Sequence, residues 1–292
     1  ELQVREINSG IYCFNGESLL NALDKLTNDN AQNEYYLTDT LEIIKDSGAK
    51  IGAYNGADIK ELMGVNSRLE LTKAESIMRD KINEKHMVNG VTLINPSCTY
   101  IECDVEIGND SIIYPGVMLK GKTTIGSNCV IDMNSSIENS TIKNNSTVKN
   151  STIVDSVVGE NTTIGPYAYL RPKTVLGDNV KIGDFVEVKN ATIGNNSKAS
   201  HLTYIGDAQV GENVNIGCGV VFVNYDGKNK AKSIVKDGAF IGSNSNLVAP
   251  VTIEEKGYVA TGSTITNNVP QRALAIARER QINKLDWNKD RF

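Results

Sequence analysis

From about residue 101 the chain carries a branched apolar residue at every sixth position. Ile101, Ile107, Ile113, Leu119, Ile125, Ile131 and Ile137 form one series, and Ile164, Leu170, Leu176, Ile182 and Val188 a second. Val210, Ile216 and Phe222 follow in a shifted register, then Val235, Ile241, Leu247, Ile253, Val259 and Ile265. Gly or a small polar residue often comes next, as in Ile107-Gly108 and Ile182-Gly183. On an α-helix a six-residue period would rotate these side chains through every face. It suits a parallel β-helix, in which each hexapeptide supplies a short strand and a tight turn and points its aliphatic residue inward. Three such sides close a coil of about 18 residues, and coils stack about 4.8 Å apart.

Outside the repeat the texture changes. Residues 66–88 lack Gly and Pro and carry charges at helical spacing, which predicts a helix linking the repeat to the segment before it. Residues 1–65 mix strand-like pieces (Ile7 to Phe14, Lys50 to Tyr54) with helical ones (Ser18 to Leu26, Leu41 to Ser47). That is an α/β segment too short for a complete nucleotide-binding domain. Gln271 to Lys284 reads as a helix, followed by a polar tail with Trp287. The expected organisation is an α/β remnant over 1–65, a linker helix over 66–90, and a β-helix with its tail over 91–292.

Charge and composition narrow the functions. A net charge of −5 argues against a nucleic-acid or anionic-membrane partner. No apolar run approaches the ~20 residues of a membrane span. Five cysteines, Cys13, Cys98, Cys103, Cys129 and Cys218, are scattered without C-x-x-C spacing, which reads as reduced thiols in a cytoplasmic protein. The chain opens at Glu1 without a methionine or signal peptide and so reads as a fragment or processed chain. Sequons such as Asn139-Ser140-Thr141 and Asn150-Ser151-Thr152 then read as turns rather than glycan sites.

Two cations stand out from the spacing. Arg171 and Lys189 each follow an inward aliphatic residue and lie eighteen residues apart in one unbroken register, hence one coil apart on one face. Stacked about 5 Å apart they repel unless an anion bridges them. A sugar phosphate is one such anion, and a solvated outer-face pair is the alternative. Ser243 and Thr261 repeat the eighteen-residue spacing with hydroxyls, and Asn224 to Ser233 interrupts the rhythm as a projecting loop. Of the two histidines, His86 reads as a helix-surface residue and His201 lies inside the repeat.

The ordered motifs carry a specific resemblance. They are Glu6-Ile7-Asn8-Ser9-Gly10, Asn33 to Asp39, Gly64-Val65-Asn66-Ser67-Arg68, Gly165 to Ala168 with Leu170-Arg171-Pro172, and Phe185 to Lys189. His201 to Asp207, Asn224-Tyr225-Asp226-Gly227 and Ala275 to Arg278 complete the series. Over nearly its whole length the chain resembles the bifunctional enzymes that are both glucosamine-1-phosphate acetyltransferases and N-acetylglucosamine-1-phosphate uridylyltransferases. The resemblance implies a left-handed coil, a homotrimer, and transfer of acetyl from acetyl-CoA to the amine of glucosamine 1-phosphate. It implies His201 as general base, a role that fits an imidazole with its ordinary pKa near 6.5. Arg171, Lys189, Tyr204, Asn215, Asn224, Tyr225 and Lys230 would contact the sugar phosphate. Cys218, Asn224, Tyr225, Ser243, Thr261 and Arg278 would contact acetyl-CoA. Cys218 departs from the family's usual Ala. In the first segment, Asn8 would touch the sugar nucleotide and Asn66 would be a Mg2+ ligand. The glycine-rich nucleotide loop of the family has no counterpart here, so uridylyl transfer is expected of a longer parent and not of this chain. Two alternatives remain: a non-catalytic regulatory or structural β-helix subunit, and another hexapeptide-repeat acyltransferase. A zinc β-helix enzyme fits poorly, since only His201 lies in the repeat.

Overall fold

The computed structural model describes residues 8–54, 60, 62–287 and 289. Glu6 and Ile7 of the first motif lie outside them. The chain divides into two compact units, residues 1–74 and 75–292.

In the first unit, helix α1 (Gly16–Leu23) is capped by Asn15, whose Oδ1 accepts the Ser18 N–H at 3.1 Å. Helix α2 (Asp39–Asp46) buries Thr40 and Ile44. The strand-like pieces are not strands: residues 8–14 and 50–54 pair with nothing in a sheet. Alternating apolar residues make a strand only when a neighbour satisfies the ladder, and none among the described residues pairs with these. Helix α3 (Arg68–Val88) starts on a capping box. Ser67 Oγ accepts the Glu70 N–H at 3.2 Å, and Glu70 Oε2 accepts the Asn66 N–H at 2.8 Å. That backbone hydrogen bond from Asn66 holds the Glu70 carboxyl below its ordinary pKa.

The second unit is a left-handed parallel β-helix of about ten turns. Among the described residues it holds twenty-six strands, most of two or three residues, and every named pairing is parallel. The aliphatic series points inward as the period requires: Ile113, Leu119, Ile131, Ile137, Ile164, Leu170, Ile182 and Val188 are all fully buried. The turns fall on residues that tolerate the left-handed region, including Asn128, Asn134, Asn139, Asn145, Asn150 and Asn161. The sequons at Asn139 and Asn150 are thus corner residues.

Coil length is less uniform than the hexapeptide period suggests. Ile137 pairs with Ile153 and Val148 with Ile164, sixteen residues on, whereas Leu170 pairs with Val188, eighteen residues on. Between Ile137 and Ile164 several sides are five residues long, with tighter corners at Asn139, Asn150 and Asp155. This is why the apolar series breaks there: the inward residues are Ile142, Val148, Ile153 and Val158. Val210 pairs with Val235, twenty-five residues on, which confirms the projecting loop.

Two other expectations change. Gln271 to Lys284 is not a helix. Arg272 adopts φ 58°, and Leu274–Ala275 forms a last strand beside Tyr258–Val259. Pairing with the exposed edge of the final coil satisfies backbone groups that a helix would leave facing an open sheet. His86 is 5% exposed, not a surface residue. The C-terminal half of α3 turns Asn83 and His86 inward, and Asn83 Nδ2 donates to Pro96 O at 2.8 Å and Thr99 O at 3.3 Å, so polar residues face the first coil. Desolvation, helped by the nearby Lys85 charge, lowers the His86 pKa below 6.5. The unfolded chain therefore binds a proton that the folded chain resists. The resulting stability is complete above about pH 6.5 and declines as pH falls towards the lowered folded value. In urea unfolding, His86→Gln is expected to flatten this acid-side decline; an identical pH slope in both proteins would show that His86 does not contribute.

Candidate active site

The pair of strands Lys181–Ile193 and Lys198–Val210 forms the longest continuous ladder of the coil and carries the site. Its register sets Asp184 beside His201, Glu187 beside Tyr204 and Lys189 beside Gly206. Leu170 pairs with Val188, so Arg171 and Lys189 stack on one face, as the eighteen-residue spacing predicts. The two cations do not stand bare. Arg171 Nη1 donates to Glu187 Oε1 at 2.7 Å, a hydrogen bond that raises the guanidinium pKa, and the guanidinium lies 5.9 Å from the Tyr169 ring centroid. Tyr169, Glu187, Tyr204 and Val221 form successive rungs of this face.

Asp207 gathers several predicted residues at the far end of the same face. It accepts from Asn190 Nδ2 at 2.5 Å and also from Asn224 Nδ2. Burial opposes its charge, but those two hydrogen bonds and the Lys189 and Lys230 charges outweigh it, so its pKa is lowered. Asn224 Nδ2 also reaches Tyr204 Oη at 3.5 Å. Lys189, Tyr204, Asn224 and Lys230 are thereby brought together around one carboxylate. A cavity of about 330 Å3 opens beside it, between Lys173, Thr192, Lys230 and Lys232.

The projecting loop is a hairpin. Tyr225 bridges Lys230 antiparallel, and Asp226 Oδ1 accepts the Lys228 and Asn229 N–H groups at 2.7 and 2.5 Å. Those backbone donors lower the Asp226 pKa. Tyr225 Oη donates to Gly227 O at 2.7 Å and is held within the loop.

His201, Cys218, Ser243 and Thr261 form a second line, one residue per coil. Ala199 pairs with Ile216, Ile216 with Ile241 and Ile241 with Val259, which places each of the four two residues beyond its inward neighbour. At about 4.8 Å per coil the line runs roughly 14 Å along the coil axis. Arg278 Nη1 donates to Thr261 O at 2.9 Å and closes its far end. The predicted base and four predicted acetyl-CoA contacts are thus collinear, and His201 is where this line meets the Arg171 face. Asn215 does not join the Arg171 face; it lies on the same side of the coil as the second line, on the strand that leads to Cys218, in register with Lys198 and Phe240.

His201 Nδ1 lies 2.6 Å from Asp184 Oδ1. This hydrogen bond, together with the Asp184 backbone, His201 and Lys181, lowers the Asp184 pKa against a smaller opposing effect of burial. Beside the pair is a groove of about 540 Å3 lined by Lys149, Asn179, Lys181 and Ser200. The adjoining corner carries Tyr167, Phe185 and Leu202, all exposed and all at positive φ, where most other corners have Asn or Gly. Tyr167 and Phe185 stack at 5.5 Å. Bulky residues in that conformation are uncommon and gather at functional sites.

In the first unit, Asn8 Oδ1 accepts the Gly10 N–H at 3.0 Å and its Nδ2 donates to Tyr12 Oη at 2.5 Å. The carboxylate next to Asn66, that of Glu70, is engaged in capping α3. Among the described residues no cluster of three or more His, Cys, Asp or Glu side chains could hold a metal. No helix among the described residues is long and apolar enough to cross a membrane.

Fold and site together define a hexapeptide-repeat β-helix protein. Family models agree: residues 98–201 match the GMPPB C-terminal domain and residues 234–267 the hexapeptide repeat of succinyl-transferase. Within that class the chain is similar to the bifunctional proteins named GlmU. It is 73% identical over 287 residues to the bifunctional protein GlmU of Clostridioides difficile (strain 630), an alignment covering 98% of this chain and 62% of that protein. It is 60% identical over 289 residues to the bifunctional protein GlmU of Clostridium tetani (strain Massachusetts / E88), covering 99% and 63%. The chain thus spans somewhat less than two thirds of the length of the curated relatives it matches. A solved Arabidopsis UDP-N-acetylglucosamine acyltransferase aligns at TM-score 0.47 with 18% identity, over 65% of this chain and 66% of that one, too distant to bear on substrate.

Proposed function

We propose that this chain transfers acetyl from acetyl-CoA to the amine of glucosamine 1-phosphate, giving N-acetylglucosamine 1-phosphate for sugar-nucleotide synthesis in the cytoplasm. The observation that carries the reading is the meeting of two lines at His201: the cationic face of Arg171, Lys189 and Tyr204, and the column Cys218, Ser243 and Thr261. Arg171 and Lys189 hold the phosphate, with Lys230 beside Asp207 at the same end of the face. Tyr204, Asn224 and Tyr225 orient the sugar and the loop. Ser243 and Thr261 meet the amides of the pantetheine arm, Arg278 a coenzyme phosphate, and the backbone at Cys218 the thioester carbonyl.

In the reaction the amine attacks the thioester carbonyl carbon. The C–N bond forms, the C–S bond breaks, His201 takes the amine proton, and the leaving thiolate recovers it as free coenzyme A. Acceptor residues and Asn215 stand on different faces of one coil, which suits sites completed between copies in a homotrimer. Uridylyl transfer from UTP with Mg2+, the second activity of the resembled family, belongs to the longer protein.

The test follows thiol release from acetyl-CoA. Glucosamine 1-phosphate is expected to support release and plain glucosamine to support far less, because the phosphate anchors the acceptor. Lys189→Ala is expected to raise KM for glucosamine 1-phosphate about tenfold or more with a smaller change in kcat, the signature of a lost charge-assisted contact made in ground and transition states alike. Equal use of both acceptors would remove the phosphate clamp, and no release from a folded trimer would leave the β-helix as a scaffold.

A further inference from the structure

The resemblance assigns His201 but gives no role to Asp184, and the geometry of the pair is specific. The two side chains face each other across one rung, with Nδ1 to Oδ1 at 2.6 Å. Resting on the acetyl-transfer reading, we propose that Asp184 is the positioning residue for His201. Its carboxylate accepts the Nδ1–H, which selects the tautomer whose Nε2 lone pair is free to take a proton. It also fixes the plane of a ring that its own chain otherwise leaves largely uncovered, since the His201 side chain is 59% exposed.

The placement has three supports. Asp184 and His201 lie on adjacent strands of the longest ladder, so their separation is set by backbone pairing and not by a flexible loop. The carboxyl stays ionised, being held below its ordinary range first by the His201 hydrogen bond and also by the Lys181 charge. Finally, the groove beside the pair is lined by Lys149, Asn179, Lys181 and Ser200, with no second carboxylate to compete for the ring.

During the reaction Asp184 exchanges no proton. When Nε2 takes the proton of the attacking amine, the imidazolium is stabilised by the carboxylate already bonded to Nδ1, and the proton leaves with the thiolate. An exposed pair contributes less than a buried triad, where loss of the carboxylate charge costs about 10⁴-fold. For Asp184→Asn a fall in kcat of roughly 30-fold is expected, with KM for both substrates within about twofold.

The experiment uses the full chain with 15N-labelled histidine. Only two histidines, His86 and His201, give ring signals, and His201→Ala assigns them. The wild-type His201 ring is expected as the Nδ1–H tautomer, and in Asp184→Ala as mainly Nε2–H. The proposal is overturned by an Nε2–H ring in the wild type, by an unchanged tautomer in Asp184→Ala, or by a wild-type kcat in Asp184→Asn. Should Asp184→Ala fail to fold, the isosteric Asp184→Asn carries both readouts. Absence of thiol release from the wild-type chain would sink the acetyl-transfer reading instead, and the tautomer spectrum would still report on the pair.

Discussion

His201→Ala lowers kcat for thiol release by about 10²–10⁴-fold and leaves the urea unfolding midpoint where it was. The two halves of this expectation come from the same geometry. The imidazole projects from the outer surface of the coil and bonds one partially exposed carboxylate, so its removal opens no cavity and strands no buried group. For the chemistry the loss is direct, because an amine cannot complete its attack on a thioester while it keeps its proton. Added imidazole is expected to restore part of the rate, since the substitution frees the volume of the ring itself. A rate unchanged in His201→Ala would transfer the base role elsewhere, and Glu187 on the same face would be the next residue to replace.

How much of this was legible in the sequence depended on whether a residue's role followed from period or from tertiary neighbours. Arg171 over Lys189 and Ser243 over Thr261 were readable because each pair keeps an eighteen-residue interval through sides of constant length. Where corners shorten, as at Asn139, Asn150 and Asp155, the same arithmetic loses register, and Ile142, Ile153 and Val158 escape the pattern although they are as buried as Ile137. Asp184 and Glu187 were missed for a related reason. Asp184 lies seventeen residues before His201 and Glu187 sixteen after Arg171, so neither pair falls on a multiple of six. Asp207 sat inside a quoted motif, but its role comes from Asn190 and Asn224, which only folding brings to it.

Small hydroxyl residues were the other unread layer. Ser111, Ser146, Thr162 and Thr174 are polar yet fully buried. Ser146 Oγ donates to Gly159 O at 2.8 Å and accepts the Thr162 N–H at 3.0 Å, while Thr162 Oγ1 donates to Gly177 O at 3.0 Å and accepts the Val180 N–H at 3.1 Å. They form rungs that satisfy corner backbone groups between coils, a need the hydrophobic period does not record. His86 was misread in the opposite sense: a charged-looking helix face proved to be the one packed on the first coil. In each case the sequence pattern identified the element correctly and left the polar partners to be set by contact.

Gly183→Ala destabilises the coil more than Ile182→Val, although it adds one methyl group on the outside of the wall while the other removes one from the core. A Cβ at Gly183 would sit 1.9 Å from the Ser200 carbonyl oxygen, 2.6 Å from its carbon and 3.0 Å from its Cα. All three are backbone atoms of the next coil, so no rotamer change relieves the clash and the rung itself must open. Overpacking costs about 1–3 kcal/mol where side chains can yield and more where they cannot, whereas Ile→Val typically costs 0.5–1.5 kcal/mol. The expected loss for Gly183→Ala is therefore at or above about 3 kcal/mol, read as a shift in urea midpoint at constant slope. Gly183 lies between Ile182, paired with Ala199, and Asp184, paired with His201. Opening that rung separates the carboxylate from the imidazole, so the same substitution should also return the His201 ring towards the Nε2–H tautomer. An unfolding midpoint no lower than that of Ile182→Val would mean that the two coils do not approach as closely at Gly183 as the placement of Asp184 against His201 requires.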